Sequence, residues 1–196
     1  PGARAMGAAL CTNRTLTTLG MQCNALGDEG ICALAQGVAE NCALQTLDLF
    51  HTGAAKTGAA ALGAAMRTNA SLTYLSLGYS KAVGAAGAAA LTIAVAEGNG
   101  TLRTLSLHNV GVCDAEAGAL LARGSGGLVT LALNFNRFGD GGARALAACL
   151  PLCGALRTLE LRKCDVASLG VAALEDAAAA PLASGAARAA PLAIVV

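Results

Sequence analysis

The feature that most constrains this chain is a pattern, L-x-x-L-x-[LM], that occurs six times. The first leucines of the six copies are Leu16, Leu44, Leu72, Leu102, Leu128 and Leu156. Successive copies are 28, 28, 30, 26 and 28 residues apart, so the two departures cancel and the period is 28. Self-similarity at such a period is typical of a solenoid, in which each unit packs only against its neighbours.

The second half of the unit is also regular. In four units a glycine stands six residues after the position of Asn24 and a leucine stands ten after it, as in Gly30 with Leu34. The Leu-x-Leu alternation predicts a short strand with one buried face, and the alanine-rich stretch after the glycine predicts a helix. Each unit is therefore expected to be a strand, a turn and a helix.

With these motifs the sequence resembles the ribonuclease-inhibitor class of leucine-rich repeats, over about Asn13 to Leu174. The resemblance implies an α/β leucine-rich-repeat solenoid, a curved horseshoe arc with a parallel β-sheet on the concave face and helices on the convex face. The ladder asparagine of that class matches Asn24 and Asn136. Val110 stands at the equivalent position of another unit, where its side chain cannot hydrogen-bond.

Three segments are expected along the chain. Residues 1–12 are interpreted as the helical half of a truncated repeat, residues 13–176 as six ribonuclease-inhibitor-like repeats, and residues 177–196 as a degenerate capping repeat or a tail. The third unit has two extra residues and the fourth is short, so irregular packing is expected between about Ser80 and Gly127. The incomplete first unit indicates a fragment of a larger protein.

Composition excludes several classes of protein. With 55% hydrophobic residues and a net charge of +1, the chain lacks the signature of disorder and the clustered cations that nucleic-acid binding needs. Only 3% of the residues are aromatic, so the core must consist of leucine, alanine and valine. The stretch from Ala82 to Ala96 falls short of the roughly 20 strongly apolar residues that cross a bilayer, and no membrane contact is expected.

The eight cysteines could form four disulfides, which would imply secretion. They are scattered over repeat positions, several on expected buried faces, so reduced thiols and a cytoplasmic location are favoured. Cys149 and Cys153 form the one close pair, and no histidine or second pair completes a zinc site. Three sequons, at Asn13, Asn69 and Asn99, occupy one turn position of the repeat, which explains them without glycosylation.

Catalytic motifs are missing from the sequence. It contains no G-x-S-x-G, P-loop or H-E-x-x-H pattern, and we expect no catalytic residue, cofactor or metal. His51 and His108 are two repeats apart and are expected at the rim of the concave face. Asp28 and Asp140 recur at one repeat position, where each is expected to cap the N-terminus of its own helix.

The side chains between and beside the strand leucines are expected to point into the concavity, and they vary in size and charge as a recognition surface would. Aromatic residues and arginine are enriched among interface hot spots. We therefore expect a non-catalytic protein–protein interaction module that is monomeric in isolation. The candidate partner-binding residues are Asp48, Phe50, Tyr74, Tyr79, His108, Asn134, Phe135, Glu160 and Arg162.

Other functions remain open from the sequence. The chain could be a spacer whose concave face binds nothing strongly. Ran GTPase-activating proteins share the repeat class, which makes regulation of a small GTPase an alternative, although their acidic tail and specific arginine have no match here. A sensor arm of a NOD-like receptor is a further alternative. Ribonuclease inhibitor is a strongly acidic horseshoe, which suits basic ribonucleases. This chain has a net charge of +1, so a basic ribonuclease is not the expected partner.

Overall fold

One parallel sheet runs the length of the molecule. A computed structural model describes residues 1–196, with every side chain except that of Ala115. Its strands follow one another in chain order: β1 (Thr18–Gly20), β2 (Thr46–Asp48), β3 (Tyr74–Ser76), β4 (Thr104–Ser106), β5 (Thr130–Ala132), β6 (Thr158–Glu160) and β7 (Ala193–Val195). Equivalent leucines are paired, such as Leu19 with Leu47, so the sequence period predicted the register correctly.

The helices lie on the opposite face of the solenoid: α1 (Gly2–Thr12), which precedes β1, and then α2 (Gly27–Glu40), α3 (Lys56–Met66), α4 (Gly84–Gly98), α5 (Gly139–Cys149) and α6 (Ser168–Ala179). In α2 the buried positions Gly30, Leu34 and Val38 recur at helical spacing and face the sheet. The short fourth unit has a 3-10 helix over Asp114–Leu120 in place of an α-helix. Two shorter 3-10 turns cover Lys81–Val83 and Leu150–Leu152.

The core is a stack of leucines between the sheet and the helices. Leu47, Leu75, Leu105, Leu131 and Leu159, one from each of five neighbouring strands, are fully buried. Burial of a leucine side chain contributes about 1.5–3 kcal/mol, so the stack accounts for much of the stability of the fold.

An asparagine ladder runs along the turns that enter the strands, at the repeat position that the three sequons occupy. The Nδ2 group of Asn69 donates to the carbonyl oxygens of Val38 (2.8 Å) and Asn41 (2.9 Å), and its Oδ1 accepts from the amides of Ser71 and Leu72. Asn41 and Asn99 repeat these bonds in the neighbouring units.

In the last unit Arg188 stands where the ladder residue is due. It donates to the carbonyl oxygens of Leu150 (2.6 Å) and Cys153 (2.9 Å).

The ladder also limits glycosylation of the sequons. Asn69 and Asn99 are only 4% and 5% exposed, and their amide nitrogens already donate hydrogen bonds within the chain. Two of the three sequons are therefore closed to glycosylation in the folded chain.

The second ladder, after the strands, bridges the gap that Val110 leaves. Asn136 belongs to the next repeat, and its Oδ1 accepts from the amides of Val110 (3.0 Å), Gly111 (3.1 Å) and Val112 (3.2 Å). Its Nδ2 donates to the carbonyl of Leu107 in the earlier repeat. The asparagine of the next repeat thus accepts the hydrogen bonds of this turn, which the side chain of Val110 cannot accept.

The prediction for the aspartates was wrong in one respect: each caps the helix of the following repeat. Asp28 lies in α2, and its Oδ1 accepts from the amides of Ala55 (2.7 Å) and Gly58 (2.9 Å), at the start of α3. Asp140 in α5 caps α6 in the same way, through Ala167 and Gly170. Each aspartate lies in the first turn of its own helix, and its carboxylate accepts hydrogen bonds from the N-terminus of the next helix.

One segment, Lys81–Gly98, is apolar and long enough to cross a membrane by length and composition alone. It consists largely of α4, and 44% of it is buried inside the solenoid. Leu91 and Val95 lie in the same core as the strand leucines. A core helix of a protein passes the same test of length and composition.

Candidate partner-binding surface

The few aromatic residues are concentrated on the sheet side of the solenoid. The chain has three phenylalanines and two tyrosines. Phe138 is fully buried in the core, whereas Tyr74 lies in β3 and the other three lie just past the ends of strands. The core therefore contains Phe138, and the other four aromatic residues lie on the concave face or its rim.

Three of these aromatic side chains and one histidine form a cluster at the ends of the strands. We call Phe50, His51, Tyr79 and Phe135 the rim cluster. The ring centroids of Phe50 and Tyr79 are 4.8 Å apart, and those of Tyr79 and Phe135 are 6.2 Å apart. Both distances lie in the range of favourable aromatic pairs, so the cluster is held together before any partner arrives.

The space for this pairing comes from Gly78. A Cβ atom placed on Gly78 would lie 3.2 Å from Cδ2 of Phe50 and 3.5 Å from Cβ of His108. The contact of 3.2 Å is tighter than ordinary packing. Because Gly78 has no side chain, the ring of Phe50 can lean across the third repeat toward Tyr79.

The backbone at the rim is left-handed in every repeat from the first to the sixth. The residues concerned have φ between 50° and 63°, and they are Cys23, His51, Tyr79, Asn109, Phe135 and Lys163. Glycine and asparagine adopt this conformation most readily, and a bulky residue there costs about 1–2 kcal/mol.

Hydrogen bonds to the next repeat impose this conformation. The amide of Tyr79 donates to the carbonyl of His108 (2.7 Å), and the amide of Phe135 donates to that of Arg162 (2.8 Å). Tyr79 is 40% exposed and Phe135 is 45% exposed. These turns therefore hold two large aromatic side chains in solvent on a strained but well-bonded backbone, a combination that is concentrated at functional sites.

The floor of the concave face is made of small side chains. Ser76, Ser106 and Ala132, the last residues of β3, β4 and β5, are at most 5% exposed. Asp48 and Glu160 lie on either side of them along the sheet, in β2 and β6. A partner would therefore meet a shallow, weakly polar floor between two carboxylates.

Both carboxylates already have partners within the chain. Asp48 accepts from Nε2 of Gln22 (2.7 Å) and from the amide of Phe50 (3.0 Å), so it also fixes the start of the turn that carries Phe50. Glu160 accepts from Nδ2 of Asn134 (2.8 Å).

Asn134 does not present its amide to solvent, contrary to the prediction that it contacts a partner. It is only 6% exposed, and besides donating to Glu160 it accepts from the amide of Arg162 (2.8 Å). Its position between two strands, rather than its residue type, decides this. Arg162 itself is exposed and remains a candidate for contact.

Burial changes the titration of two concave side chains. It raises the pKa of Tyr74, and the charge of Asp48 raises it further, while a hydrogen bond with Ser76 lowers it. Burial lowers the pKa of His108, and the charge of Glu160 opposes this. Both groups are therefore uncharged near neutral pH and act as amphipathic contacts rather than as charges.

The exposed charges at the rim are mainly cations. Lys81, Arg137, Arg162 and Lys163 are exposed and come just past the ends of β3, β5 and β6. Within the described part of the chain the ion pairs are Arg4 with Glu29 and Glu97 with Arg67 and Arg123, which include none of these four.

The sequence-based list missed Lys81, Arg137, Lys163 and His51. A signal was available, because Lys81 and Arg137 each follow an aromatic residue by two positions, in Tyr79-x-Lys81 and Phe135-x-Arg137. The left-handed turn that brings them to one rim is not visible in the residues.

The family comparison matches the repeats themselves. A family model described as "Leucine Rich repeat" matches residues 12–35, 68–91 and 128–147. These segments include strands or strand entries that the structure stacks in register. The chain folds as a leucine-rich-repeat solenoid.

Among solved structures, the leucine-rich-repeat chain is similar to one titled "Leiomodin-1 Actin-Binding Site 2 (ABS2)". The TM-score is 0.59 at 14% sequence identity, and the match covers 90% of this chain and 85% of that chain. At this identity the likeness shows the shared fold. No curated protein matches the sequence.

A wide groove of the leucine-rich-repeat solenoid lies on the convex side, between α1 and α2. It is an open groove of 770 Å³, lined by small residues together with Cys11, Cys32 and a few charged side chains. Arg4 and Glu29 bond to each other there (3.0 Å), with both side chains largely in solvent. It lacks aromatic anchors, and we place the candidate site on the concave side.

The side chains that the structure describes include no group of three His, Cys, Asp or Glu residues placed to hold a metal ion. All eight cysteine thiols are free. Burial raises the pKa of Cys153 and of Cys164 to about 11. Cys153 and Cys164 are buried, whereas Cys23, Cys42 and Cys113 are exposed.

Proposed function

We propose that this chain is a non-catalytic protein–protein interaction module of a larger cytoplasmic protein. It binds a protein partner through the concave face and the rim cluster. The observation that carries the proposal is the exposure of Tyr79 and Phe135, at 40% and 45%, in a chain whose core contains one aromatic residue.

The energetics of the site favour binding. The rim cluster is held by ring contacts and by backbone hydrogen bonds to the next repeat, so little conformational entropy is lost when a partner covers it. Tyrosine and arginine are enriched among hot-spot residues because desolvation of their large side chains contributes strongly. The convex helices offer mainly alanine and glycine, which give a partner little to contact.

We also propose that the repeats belong to the ribonuclease-inhibitor-like class and that the chain is monomeric. The 28-residue step between paired strands supports the first point, because it leaves room for a helix in most units. One solved structure with a similar fold is titled an actin-binding site of leiomodin-1. Actin is therefore a specific candidate partner to test, by co-sedimentation of the chain with actin filaments.

The test of the proposed function is a comparison of captured proteins between two triple variants. Phe50→Ala/Tyr79→Ala/Phe135→Ala removes the rings of the rim cluster. The matched control, Leu152→Ala/Leu169→Ala/Arg144→Ala, removes exposed side chains outside the concave face, where Leu152 and Leu169 are 50% and 70% exposed. We expect partners that the parent captures from a lysate to be lost with the first variant and kept with the second.

Thermal melting of both variants shows whether they are folded. Partners that survive the loss of all three rings but disappear with the control would place the binding surface on the convex side and overturn the proposal. Capture of the same proteins by both folded variants would also overturn it.

A further inference from the structure

We infer that the outer edge of β1 binds an extended strand of a partner protein, parallel to β1 and with leucines at the L-x-x-L-x-L spacing of the repeat. β1 stands at one end of the sheet and pairs with β2 on one side only. This edge is separate from the concave face and the rim cluster, so the inference goes beyond the proposed function.

The bonds between successive strands show what such an edge requires. The amides of Gln45 and Thr46 both donate to the carbonyl of Thr17, at 2.8 and 3.0 Å. The last carbonyl of β2, that of Asp48, accepts from the amide of Met21 (2.9 Å). The same bonds recur at the next four strand boundaries. Each strand therefore meets the strand before it with two amides and the carbonyl of its last residue.

The equivalent groups of β1 are the amides of Thr17 and Thr18 and the carbonyl of Gly20. All three residues are exposed, and no strand lies beyond them in the described part of the chain. Residues 15–20 also carry no charge and no proline, which are the usual means of keeping a strand edge from pairing. The edge of β1 is therefore open to backbone pairing, as in other proteins that bind a peptide by adding a strand.

Asn13 supplies a side-chain donor at the same edge. Its Oδ1 accepts from the amides of Thr15 (3.0 Å) and Leu16 (2.7 Å), as the Oδ1 of Asn41 does in its own turn. The Nδ2 of Asn41 donates to carbonyls that precede it by one repeat, those of Leu10 (2.7 Å) and Asn13 (2.8 Å). The Nδ2 of Asn13 is held in the same way, and among the described residues it has no acceptor. A backbone carbonyl of an added strand would complete the ladder.

The apolar part of the edge indicates which side chains the added strand carries. Leu16 is 36% exposed, whereas its equivalents in four later repeats are fully buried: Leu44, Leu72, Leu102 and Leu156. A strand with leucines at the repeat spacing gives Leu16 the neighbour that these equivalents have. A polar strand would leave Leu16 in water, so we assign an apolar pattern to the partner segment.

The other edge of the sheet, at β7, lacks this arrangement. The ladder side chains reach toward the earlier repeat, and Arg188, the ladder residue of the last unit, already donates to the carbonyls of Leu150 and Cys153. A strand added at β7 would therefore find no waiting side-chain donor. A second copy of the chain is also a poor source of the strand, because β2 to β6 are paired on both sides and β7 contains no leucine.

The experiment uses a labelled peptide with the sequence of residues 69–77 of this chain, which has the leucine pattern and no charged side chain. A second peptide, with Leu75→Pro, cannot pair as a strand at its centre and is the control. Fluorescence anisotropy measures binding of each peptide to the whole chain. We expect the first peptide to bind roughly tenfold more tightly than the second, with slower hydrogen exchange at the amides of Thr17 and Thr18.

Two variants localise the binding. Thr18→Pro removes an outward amide at an edge position, where proline is tolerated. Asn13→Asp keeps Oδ1 and replaces the Nδ2 donor with an oxygen. We expect each to weaken binding of the first peptide by roughly tenfold. The matched control is Asn109→Asp, at the rim of the fourth repeat, where φ is 50° and suits aspartate as well as asparagine. It should leave the affinity unchanged.

Thermal melting shows that each variant is folded. Absence of binding by the parent, or equal binding by the parent and Thr18→Pro, would overturn the inference. Equal affinity for the two peptides would show that strand pairing is not the mode of binding and would also overturn it. A mass that doubles with concentration in the parent but not in Thr18→Pro would assign the edge to a second copy instead of a partner.

The ring variant Phe50→Ala/Tyr79→Ala/Phe135→Ala separates this inference from the proposed function. We expect it to bind the first peptide as the parent does, because the edge of β1 lies outside the rim cluster. Loss of the peptide in the ring variant but not in Thr18→Pro would place the peptide on the rim cluster. That result would overturn the strand site and leave the proposed function standing.

Discussion

The rings of Phe50 and Tyr79 lie 4.8 Å apart although the two residues belong to successive repeats. The contact depends on Gly78, which leaves open the space that the ring of Phe50 crosses. We predict that Gly78→Val moves the ring and weakens partner binding. The near-ultraviolet circular dichroism of tyrosine would change while the thermal midpoint moves little, because Gly78 has an ordinary φ. Thr73→Val, at an exposed position before β3, is the control. It should change neither the partner binding nor the circular dichroism.

Asn136 and Asn24 occupy equivalent positions of the repeat, but they should differ in how much each stabilises the fold. Asn136→Ala removes the partner of three amides, those of Val110, Gly111 and Val112, of which the first and last are buried, and we predict a loss of about 3 kcal/mol or more. Asn24 is exposed and bonds only to carbonyls of its own turn, so Asn24→Ala should cost less than about 1 kcal/mol. Urea denaturation measures both, and equal losses would contradict the bridging role of Asn136.

Capping across repeats predicts which helix loosens when an aspartate is removed. Asp28→Ala deletes the acceptor for Ala55 and Gly58, and we expect a loss of about 1–2 kcal/mol. Hydrogen exchange should increase at the start of α3, not at the start of α2, where Asp28 itself lies. Glu29→Ala is the control, because its pairing with Arg4 is almost fully exposed. Faster exchange at α2 alone would show that the cap acts within its own helix.

The middle of the leucine stack should not tolerate a charge. Leu131 is fully buried in β5, and Leu131→Asp places a carboxylate there without a partner. We predict a loss of several kcal/mol, with loosening of both flanking repeats because each unit is stabilised by its neighbours. Thr130→Asp changes the preceding residue of the same strand, which is half-exposed, and should be tolerated. A thermal melt of Leu131→Asp that matched the parent would contradict the register.

Buried thiols should react more slowly than exposed ones. We predict that the denatured, unreduced protein shows eight titratable thiols and that Cys153 and Cys164 react last in the folded chain. A pKa of about 11 leaves about one thiol in a thousand ionised at pH 8, and the thiolate is the reactive form. The unfolded thiols ionise near pH 9, so the stability from these two burials should be full below that pH and fall as the pH rises toward 11. Mass spectrometry of alkylated peptides orders the eight sites.

Several features followed from the sequence alone. The 28-residue period, with its steps of 30 and 26, predicted the strand pairing because a buried leucine every second residue permits one register only. The irregular fourth unit followed from its short length. The concave position of Phe50, Tyr74 and Glu160 followed from the alternation of strand side chains.

Only the tertiary structure decided how neighbouring repeats complete one another. Asn136 accepts a hydrogen bond from the amide of Val110, and Asp28 caps the helix that begins after Ala55. Asn134 donates to the carboxylate of Glu160. Each bond joins residues about one period apart, and its geometry depends on the curvature of the stack. The left-handed backbone at Tyr79 and Phe135 likewise comes from hydrogen bonds to the next repeat. Residue types within one unit do not encode these contacts, because most of the partner atoms are backbone groups that every sequence shares and the carboxylate of Glu160 belongs to the next repeat.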